Sequence, residues 1–553
     1  MSLTPSPSCS PARPRAWRPA ALALAAGAAL VAGCATRTEP TVAAPALPAA
    51  YKPAAEPLVR SDCAPPACPA PALSWQPTDA LQPPSSGPWW QGFGDPLLSE
   101  LQAELARGNA SLEAAQAQYR QAVALADAAR AGLFPTVGAS LSATRSRAAS
   151  SDDGTRASTS TRYTASLPLS WELDLWGRVR RQVESGRAQA EASAADLAGV
   201  RLSQQALLAQ QFISLRIADT RIALLQRLLQ DDRQTLLLTR KRQAAGVVAA
   251  SDVDQAQVQL SATEAQLLDA QLQREQLENA IAVLLGRAPA AFTLAPRPWV
   301  TQATAADAGP ATGPVQAAAA SLADAAPAQP PAASSQPPAT PPQPPAGMGA
   351  AALQLPALPV GLPSTLLLRR PDVVAAERTV AAARADLGAA QVAWFPTLTL
   401  GASVGAQALS WSDLLQAPTR VWSWGPQLAA TLFDGGLRTA QREQAQAALD
   451  AAAAQYRQTV LTALQEVEDQ LAALRLLDES ARIQQQAVEA ARRSLAAARS
   501  RYRAGTASAL DLVSAQSSLR SAELDRLTLQ GRQLSAAVTL IQAVGGGWQA
   551  GAP

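Results

Sequence analysis

The sequence predicts a mainly α-helical fold with a smaller β-barrel portion, repeated once along the chain. Three observations predict it. Motifs recur at a nearly constant offset of about 260 positions. Short segments alternate apolar and polar residues, as β-strands with one apolar and one solvent-facing side do. Long segments carry apolar residues every seven positions, as helices packed against other helices do.

The N-terminal residues are typical of an export signal. Arg13, Arg15 and Arg18 precede an apolar run that ends at Cys34. A basic region, an apolar stretch too short to span a bilayer and a small-residue cleavage site predict a signal peptide over 1–33. The stretch "LVAGC" also resembles a bacterial lipobox, in which Cys34 is acylated; simple secretion is the alternative. Among the lipoproteins that this chain resembles, a non-acidic residue such as Ala35 after the cysteine favours the outer membrane.

Composition narrows the classes of function. The chain has 46 Lys and Arg against 43 Asp and Glu, and the signal segment holds three Arg and no acid, so the expected mature chain is neutral. We therefore expect no nucleic-acid partner. The chain has no histidine, which removes imidazole bases and His-ligated metals. We expect no metal, no cofactor and no catalysis.

Two segments are rich in Pro and Ala. The first, 34–88, reads as a tether from the acylated Cys34, and the second, 301–361, as a low-complexity insert. Cys63 and Cys68 lie in the tether, where they form a small disulfide or remain two idle thiols.

The remaining chain is predicted to form two structural repeats, 89–300 and 362–553. "LFPTVGASL" at 133–141 recurs as "WFPTLTLGA" at 394–402. "KRQAAGVVAASDVDQAQVQL" at 241–260 recurs as "SRYRAGTASALDLVSAQSSL" at 500–519. Compositional similarity between two Ala-rich regions does not keep such a register, so we infer a tandem duplication with a unit far longer than solenoid repeats.

Each repeat is predicted to contain the same elements in the same order. An opening helix ends at Phe-Pro, two alternating strands follow, a very long helix ends at a Gly turn, and a shorter helix returns. In the first repeat these are helix 97–131, strands 136–144 and 163–175, helix 178–242 and helix 252–285; in the second they are helix 371–392, strands within 398–404 and 422–432, helix 438–503 and helix 511–544.

The strands read as membrane strands. Tryptophans lie in or beside them, as the aromatic girdles of membrane barrels do; they are Trp171, Trp176, Trp394, Trp411, Trp422 and Trp424. Four strands cannot close a barrel, and open edges are untenable in a membrane. The sequence therefore predicts an oligomer that pools its strands.

The long helices predict a tall helical wall. About 65 residues span about 97 Å at the α-helical rise. The first carries a heptad series of Leu208, Leu215, Ile222, Leu229 and Leu236; the second carries Val460, Leu464, Val467, Leu471 and Leu474 in four-three steps. An opening and a returning helix together match one long helix, so we expect them to stack end to end along it.

Four segments carry a family resemblance: "WWQGFGDPLLSELQAELARGNASLEAA", "SLPLSWELDLWGRVRR", "LPSTLLLRRPDVVAAE" and "RYRAGTASALDLVSAQ". Over 89–548 the chain resembles the TolC/OprM-like outer-membrane factors, specifically the lipoprotein branch serving resistance-nodulation-division pumps. The resemblance implies a homotrimer with a twelve-stranded barrel in outer-membrane lipid, four strands per chain, continuous with a periplasmic α-helical tunnel. It implies a passive duct of a tripartite efflux system, with an inner-membrane pump and a periplasmic adaptor as partners.

The resemblance also assigns residues. Asp511, Asp252 and Tyr502 would form the periplasmic gate, and Gly246, Gly505 and Thr506 the tip where the adaptor docks. The chain departs from well-known members of that family at two positions. They have either an acidic residue where this chain has Ser514 or a basic residue where it has Ala507. For both aspartates, an ordinary acid at a helix N-terminus is the alternative.

Other functions remain open at this point. A type I secretion exit duct shares the same architecture. A trimeric periplasmic coiled-coil scaffold would lack membrane strands, and a carboxylate hydrolase on a lipid anchor would need a pair of acids.

Overall fold

The computed structural model describes residues 76–77, 88–148, 158–298, 359–360, 370–414, 419–546 and 548. The expected signal peptide, the acylation site Cys34, the cysteine pair Cys63 and Cys68, and nearly all of the tether and the insert lie outside these residues. Within those two segments, the described residues are Pro88 and the pairs Gln76–Pro77 (β1) and Pro359–Val360 (β5), and the two pairs form a short parallel ladder.

Seven α-helices are described, and their lengths recur in pairs. They are α1 (Pro96–Gly108), α2 (Ala110–Ala131), α3 (Arg178–Ala244), α4 (Ala250–Leu284), α5 (Pro371–Val392), α6 (Leu437–Arg503) and α7 (Ala509–Ala543). The long helices α3 and α6 have 67 residues each, and the returning helices α4 and α7 have 35 each. None of the described helices is both long enough and apolar enough to cross a membrane.

The opening helix of the first half is not continuous, so the prediction of one helix over 97–131 was wrong. Asn109 has an extended backbone and separates α1 from α2. Its side chain accepts a hydrogen bond from the Leu112 amide at 3.0 Å, so it caps α2. Asparagine is among the preferred N-cap residues because its oxygen satisfies an amide that the helix leaves unpaired.

The larger sheet is antiparallel. Its strands are β2 (Thr136–Val137), β3 (Ser140–Ala148), β4 (Ser158–Leu173), β6 (Thr397–Ala408) and β7 (Arg420–Ala429). Their order is β2-β4-β6-β7, with β3 paired to β4. The strands β2 and β3 keep one register against β4, and the ladder lapses where Gly138 faces Pro168, which has no amide to donate. They therefore count as one interrupted strand, and the sheet is four strands wide.

Two strands end earlier than predicted, at Leu173 and Ala429. In the first, Asp174 turns the chain into α3: its carboxylate accepts from the amides of Val179 at 3.0 Å and Arg180 at 2.9 Å. These hydrogen bonds satisfy the first turn of the helix. Asp434 accepts in the same way from the Gly436 amide at the start of α6.

The sheet has one apolar and one polar face. Cross-strand partners such as Trp171 with Leu400, and Val404 with Trp422, lie on the first face. Ser166 with Gly405, and Ser403 with Ser423, lie on the second. Trp422 and Trp424 expose 74% and 72% of their surface, so none of the described residues covers this apolar face.

Shorter helices stack end to end along the long ones, which confirms that expectation. The Asn109 side chain donates to the Leu284 carbonyl at 2.8 Å and so joins the start of α2 to the end of α4. In the second half Arg370, at the start of α5, donates to the Ala543 carbonyl at the end of α7 at 3.0 Å. The first junction needs glycine, because a Cβ on Gly108 would overlap the Leu285 carbonyl oxygen. Each stacked pair is somewhat shorter than its long helix.

The main core lies midway along α3. Four of the five predicted heptad residues of α3 are buried, and Ile222 is half-buried. Phe212 and Leu208 pack with α1 residues and with Val538 of α7. This cluster therefore joins elements from both halves of the chain.

Candidate functional site

The candidate site is the tip at which the long helices turn back. We call α3 with α4 hairpin one, and α6 with α7 hairpin two. Both turns contain a glycine in the left-handed region, Gly246 with φ 75° and Gly505 with φ 76°. At each glycine a Cβ would meet open space, so the backbone angle alone requires this residue.

The two turns are built alike. The Gly505 amide donates to the Tyr502 carbonyl at 3.1 Å, and the Thr506 amide donates to Arg501 at 2.9 Å. The Thr506 hydroxyl also donates to the Arg501 carbonyl at 3.2 Å. These bonds are those of a helix C-terminus closed by a left-handed residue. Gly246, Gly505 and Thr506 are all exposed.

Tyr502 lies between the hairpins and is only 2% exposed. The Arg242 guanidinium, on hairpin one, lies 4.0 Å from the centroid of its ring, a cation–π contact. Arg242 also donates to the Tyr502 carbonyl oxygen at 2.9 Å. The Tyr502 hydroxyl is 3.4 Å from the Thr239 hydroxyl, at the long end of hydrogen bonding. The ring, more than its hydroxyl, thus connects the hairpins.

Asp511 and Asp252 occupy the third position of α7 and α4, respectively. The Asp511 carboxylate accepts from the Ser508 amide at 3.0 Å and the Ser508 hydroxyl at 2.8 Å, while its own amide donates back to that hydroxyl. This is a capping box. The hydrogen bonds from Ser508 hold the pKa of Asp511 below its usual range, so the exposed carboxylate is ionised. The equivalent N-cap of α4 is Ala249, which has no side-chain oxygen.

Sequence reasoning missed a row of polar contacts that joins the hairpins. From the tip inward, the Gln516 amide donates to the Thr235 hydroxyl at 3.1 Å, and Arg520 donates to Asp232 at 3.0 Å. Arg499 donates to Asp231 at 2.6 Å. These pairs are 268 to 288 positions apart in sequence. A local pattern in the sequence could not reveal them, although the predicted duplication implied that the two hairpins correspond.

The structure brings Tyr502, Gly505, Thr506 and Asp511 together at one turn. It places Gly246 and Asp252 at the other turn, and Arg242 links the two helix ends. Within the described ranges, no group of three or more acidic or cysteine side chains is arranged to hold a metal ion.

The fold of the described residues is similar to that of solved outer-membrane channels. The solved structure of the outer-membrane channel OprN superposes with a TM-score of 0.73 at 30% identity, over 92% of this chain and 100% of that one. A family model described as outer membrane efflux protein matches residues 101–287 and 362–546. The chain belongs to the outer membrane efflux protein family.

Named relatives agree with this assignment. The pyoverdine export outer membrane protein OpmQ of Pseudomonas putida is 31% identical over 88% of this chain and 93% of its own length. The toluene efflux pump outer membrane protein TtgC of Pseudomonas putida is 29% identical over 83% of this chain and 85% of its own length. The chain is thus an outer-membrane component of an efflux system, a class that works with inner-membrane pumps.

Proposed function

We propose that three copies of this chain form a passive duct, with a twelve-stranded barrel in the outer membrane above an α-helical tunnel. The sheet carries this proposal. Its outer strands, β3 and β7, have free edges within the described part of the chain, and its apolar face is uncovered. Free edges are untenable in lipid, so other copies must pair with them.

The family resemblance gives the number of copies, and strand direction and barrel size support it. Successive strands alternate in direction, so β7 of one copy meets β3 of the next in antiparallel fashion and the ring closes. Two copies would give eight strands, whose interior side chains nearly fill. Three copies give twelve strands and leave a lumen lined by the Ser, Thr and Gly face. The strands of 10 and 12 residues, β7 and β6, suit a bilayer, which needs about 9–11.

We infer that the two halves of the chain descend from one duplicated unit. Besides the recurring helix lengths, two devices support this. Asn109 and Arg370 each start a short helix and bond the last carbonyls of a returning helix. Asp174 and Asp434 each turn a strand into a long helix. In a trimer, six similar units would then surround the lumen.

Asp511, Asp252 and Tyr502 are proposed to form the gate at the periplasmic end of the tunnel. Three ionised Asp511 carboxylates around an aperture would repel one another and favour cations and water. Capping the helix and forming this ring are compatible roles, because a carboxylate has two oxygens and several acceptor positions.

Gly246, Gly505 and Thr506 are proposed as the surface where a periplasmic adaptor docks. They are exposed and lie at the end of the molecule farthest from the sheet. The adaptor would connect the duct to an inner-membrane pump of the resistance-nodulation-division class.

The duct performs no catalysis and takes its cargo from that pump. Relatives named for pyoverdine and for toluene support small organic molecules as cargo.

Acylation of Cys34 is proposed to add a lipid anchor in the same membrane. Fatty-acid labelling of the full chain tests it, with Cys34→Ser as the variant. Labelling that persists in the variant would rule the lipobox out.

Two measurements on the full chain test the duct. Native mass spectrometry should give a trimer. In planar bilayers the wild-type protein should conduct ions, and its cation selectivity should change in the double variant that combines Asp511→Ala and Asp252→Ala. Ser514→Ala, one turn beyond Asp511, is the matched control. A trimer that never conducts, with no heat-modifiable β-signal in outer-membrane fractions, would instead favour the scaffold.

A further inference from the structure

One contact near the tip is not used by the proposed gate. Asp232 of α3, 3% exposed, lies against Arg520 of α7, 5% exposed. The Thr263 hydroxyl of α4 donates to the same Asp232 oxygen at 2.6 Å. The cluster therefore joins three helices and both hairpins, about four helical turns inward from the glycine turns.

The packing around this cluster changes along the hairpins. Near the middle of α3, the main core contains Leu534 and Val538 of hairpin two, so the hairpins share apolar packing there. Nearer the tip, two separate apolar clusters exist. One, with Leu229 and Leu260, draws only on hairpin one. The other, with Leu495 and Leu512, draws only on hairpin two.

Each hairpin thus has its own core at the tip, and the described contacts between them there are largely polar. Such an interface can separate, since water replaces hydrogen bonds but does not replace apolar packing. The interface is also incompletely satisfied: Arg520 Nε and Gln516 Oε1 are buried without a protein hydrogen-bond partner.

The buried charge of Asp232 further weakens the contact between the hairpins. Burial raises the pKa of Asp232, although Thr263 and Arg520 act in the opposite direction. Because burial disfavours the charge of this carboxylate, the desolvation cost offsets much of the free energy that its ion pair contributes.

We propose that Asp232, Arg520 and Thr263 are positioning residues that hold hairpin two against hairpin one and so set the aperture of the tip. This rests on the proposed duct and adds residues to its gate. The hairpins move apart as units because their own cores stay intact, while the shared core near Phe212 holds their far ends together.

A charge contact of this kind predicts a distinctive pattern in substitutions. Asp232→Leu leaves Arg520 buried without its carboxylate, and Arg520→Met leaves Asp232 without its guanidinium. Either change favours separation, whereas the double change removes both charges and restores a compatible apolar contact. Loss of packing alone would instead make the double variant worse than either single one.

The experiment uses the full chain as a trimer in planar bilayers. We expect the open fraction to rise by about tenfold in each single variant and to return toward wild type in the double. Thr263→Val should shift it in the same direction, and Thr263→Ser, which keeps the hydroxyl, should not. Glu264→Gln, in the exposed pair with Arg233 within hairpin one, is the control and should match wild type.

Amide hydrogen exchange over 511–520 gives a second readout that needs no conductance. It should quicken by about tenfold in the single variants and recover in the double. Unchanged exchange and conductance in the single variants, or a double variant as open as they are, would overturn the proposal. Absence of conductance in wild type and all variants would instead refute the duct, and exchange would still decide the contact.

Discussion

Tyr502 offers a direct test of how the tip is held, because its ring and its hydroxyl make separate contacts. Replacing it by alanine removes a side chain that is 2% exposed, packed on Leu495 and Leu512 and covered by Arg242. Deleting a buried aromatic side chain costs about 3–5 kcal/mol, and an ordered cation–π contact contributes about 0.5–2 kcal/mol to such a loss.

Replacing Tyr502 by phenylalanine changes much less. The ring, its packing and the Arg242 contact remain, and the Arg242 hydrogen bond goes to the backbone. The lost contact to Thr239 is 3.4 Å long, and the Thr239 hydroxyl already donates to the Thr235 carbonyl at 2.9 Å. We expect a cost below about 1 kcal/mol.

The assay is conductance of the protein in planar bilayers together with hydrogen exchange over 495–515. Tyr502→Ala should increase both conductance and exchange, and Tyr502→Phe should stay close to wild type. If the phenylalanine variant opened the tip as far as the alanine variant, the hydroxyl would be the essential contact. The assignment to the ring would then be wrong.

Four further predictions concern the fold. Gly108→Ala should destabilise the protein by about 1–3 kcal/mol in thermal unfolding, because its Cβ overlaps a carbonyl, while Gly425→Ala, in open space, should not. Asp219→Ala should cost about 3–5 kcal/mol, since Arg274 at 2.7 Å loses its buried carboxylate; a smaller loss would mean that Glu278 compensates. Val404→Lys, near the middle of β6 on the apolar face, should impair insertion by about 2–4 kcal/mol, and Ser403→Lys on the other face far less, as judged by heat-modifiability. Because the pKa of Asp511 is lowered, its cap should persist on acidification through the usual aspartate range and be lost only below it, as judged by exchange at the first turn of α7.

Sequence patterns predicted the large elements because each has a strong local cause. Gly246 and Gly505 lie where the backbone needs a positive φ, and the Phe-Pro pairs lie where helices end. The break at Asn109 was also readable, since a Gly-Asn pair inside a helical pattern is a typical stop and cap. The apolar periodicity on both sides of it concealed the signal.

The contacts between hairpins could not be read in this way. Asp232 and Arg520 have no shared local pattern, and their pairing depends on how two long helices are rotated against each other. A heptad series gives the buried side of a helix but not which polar residue of a partner lies opposite. The role of Asp511 as a cap was foreseeable from Ser508 three residues earlier, whereas its proposed part in a gate depends on neighbouring copies.

The continuity of α3 has a mechanical consequence. The Gln210 side chain bonds Thr539 at 3.1 Å, near the apolar core shared by both hairpins. From there the helix runs without a break to Ala244, so the glycine turn lies about 54 Å away at the α-helical rise. On an arm of that length, a tilt of about 5° displaces the end by roughly 5 Å. The helix therefore acts as a lever: a rearrangement of a few side chains at its fulcrum is enough to widen an opening by the diameter of a small molecule.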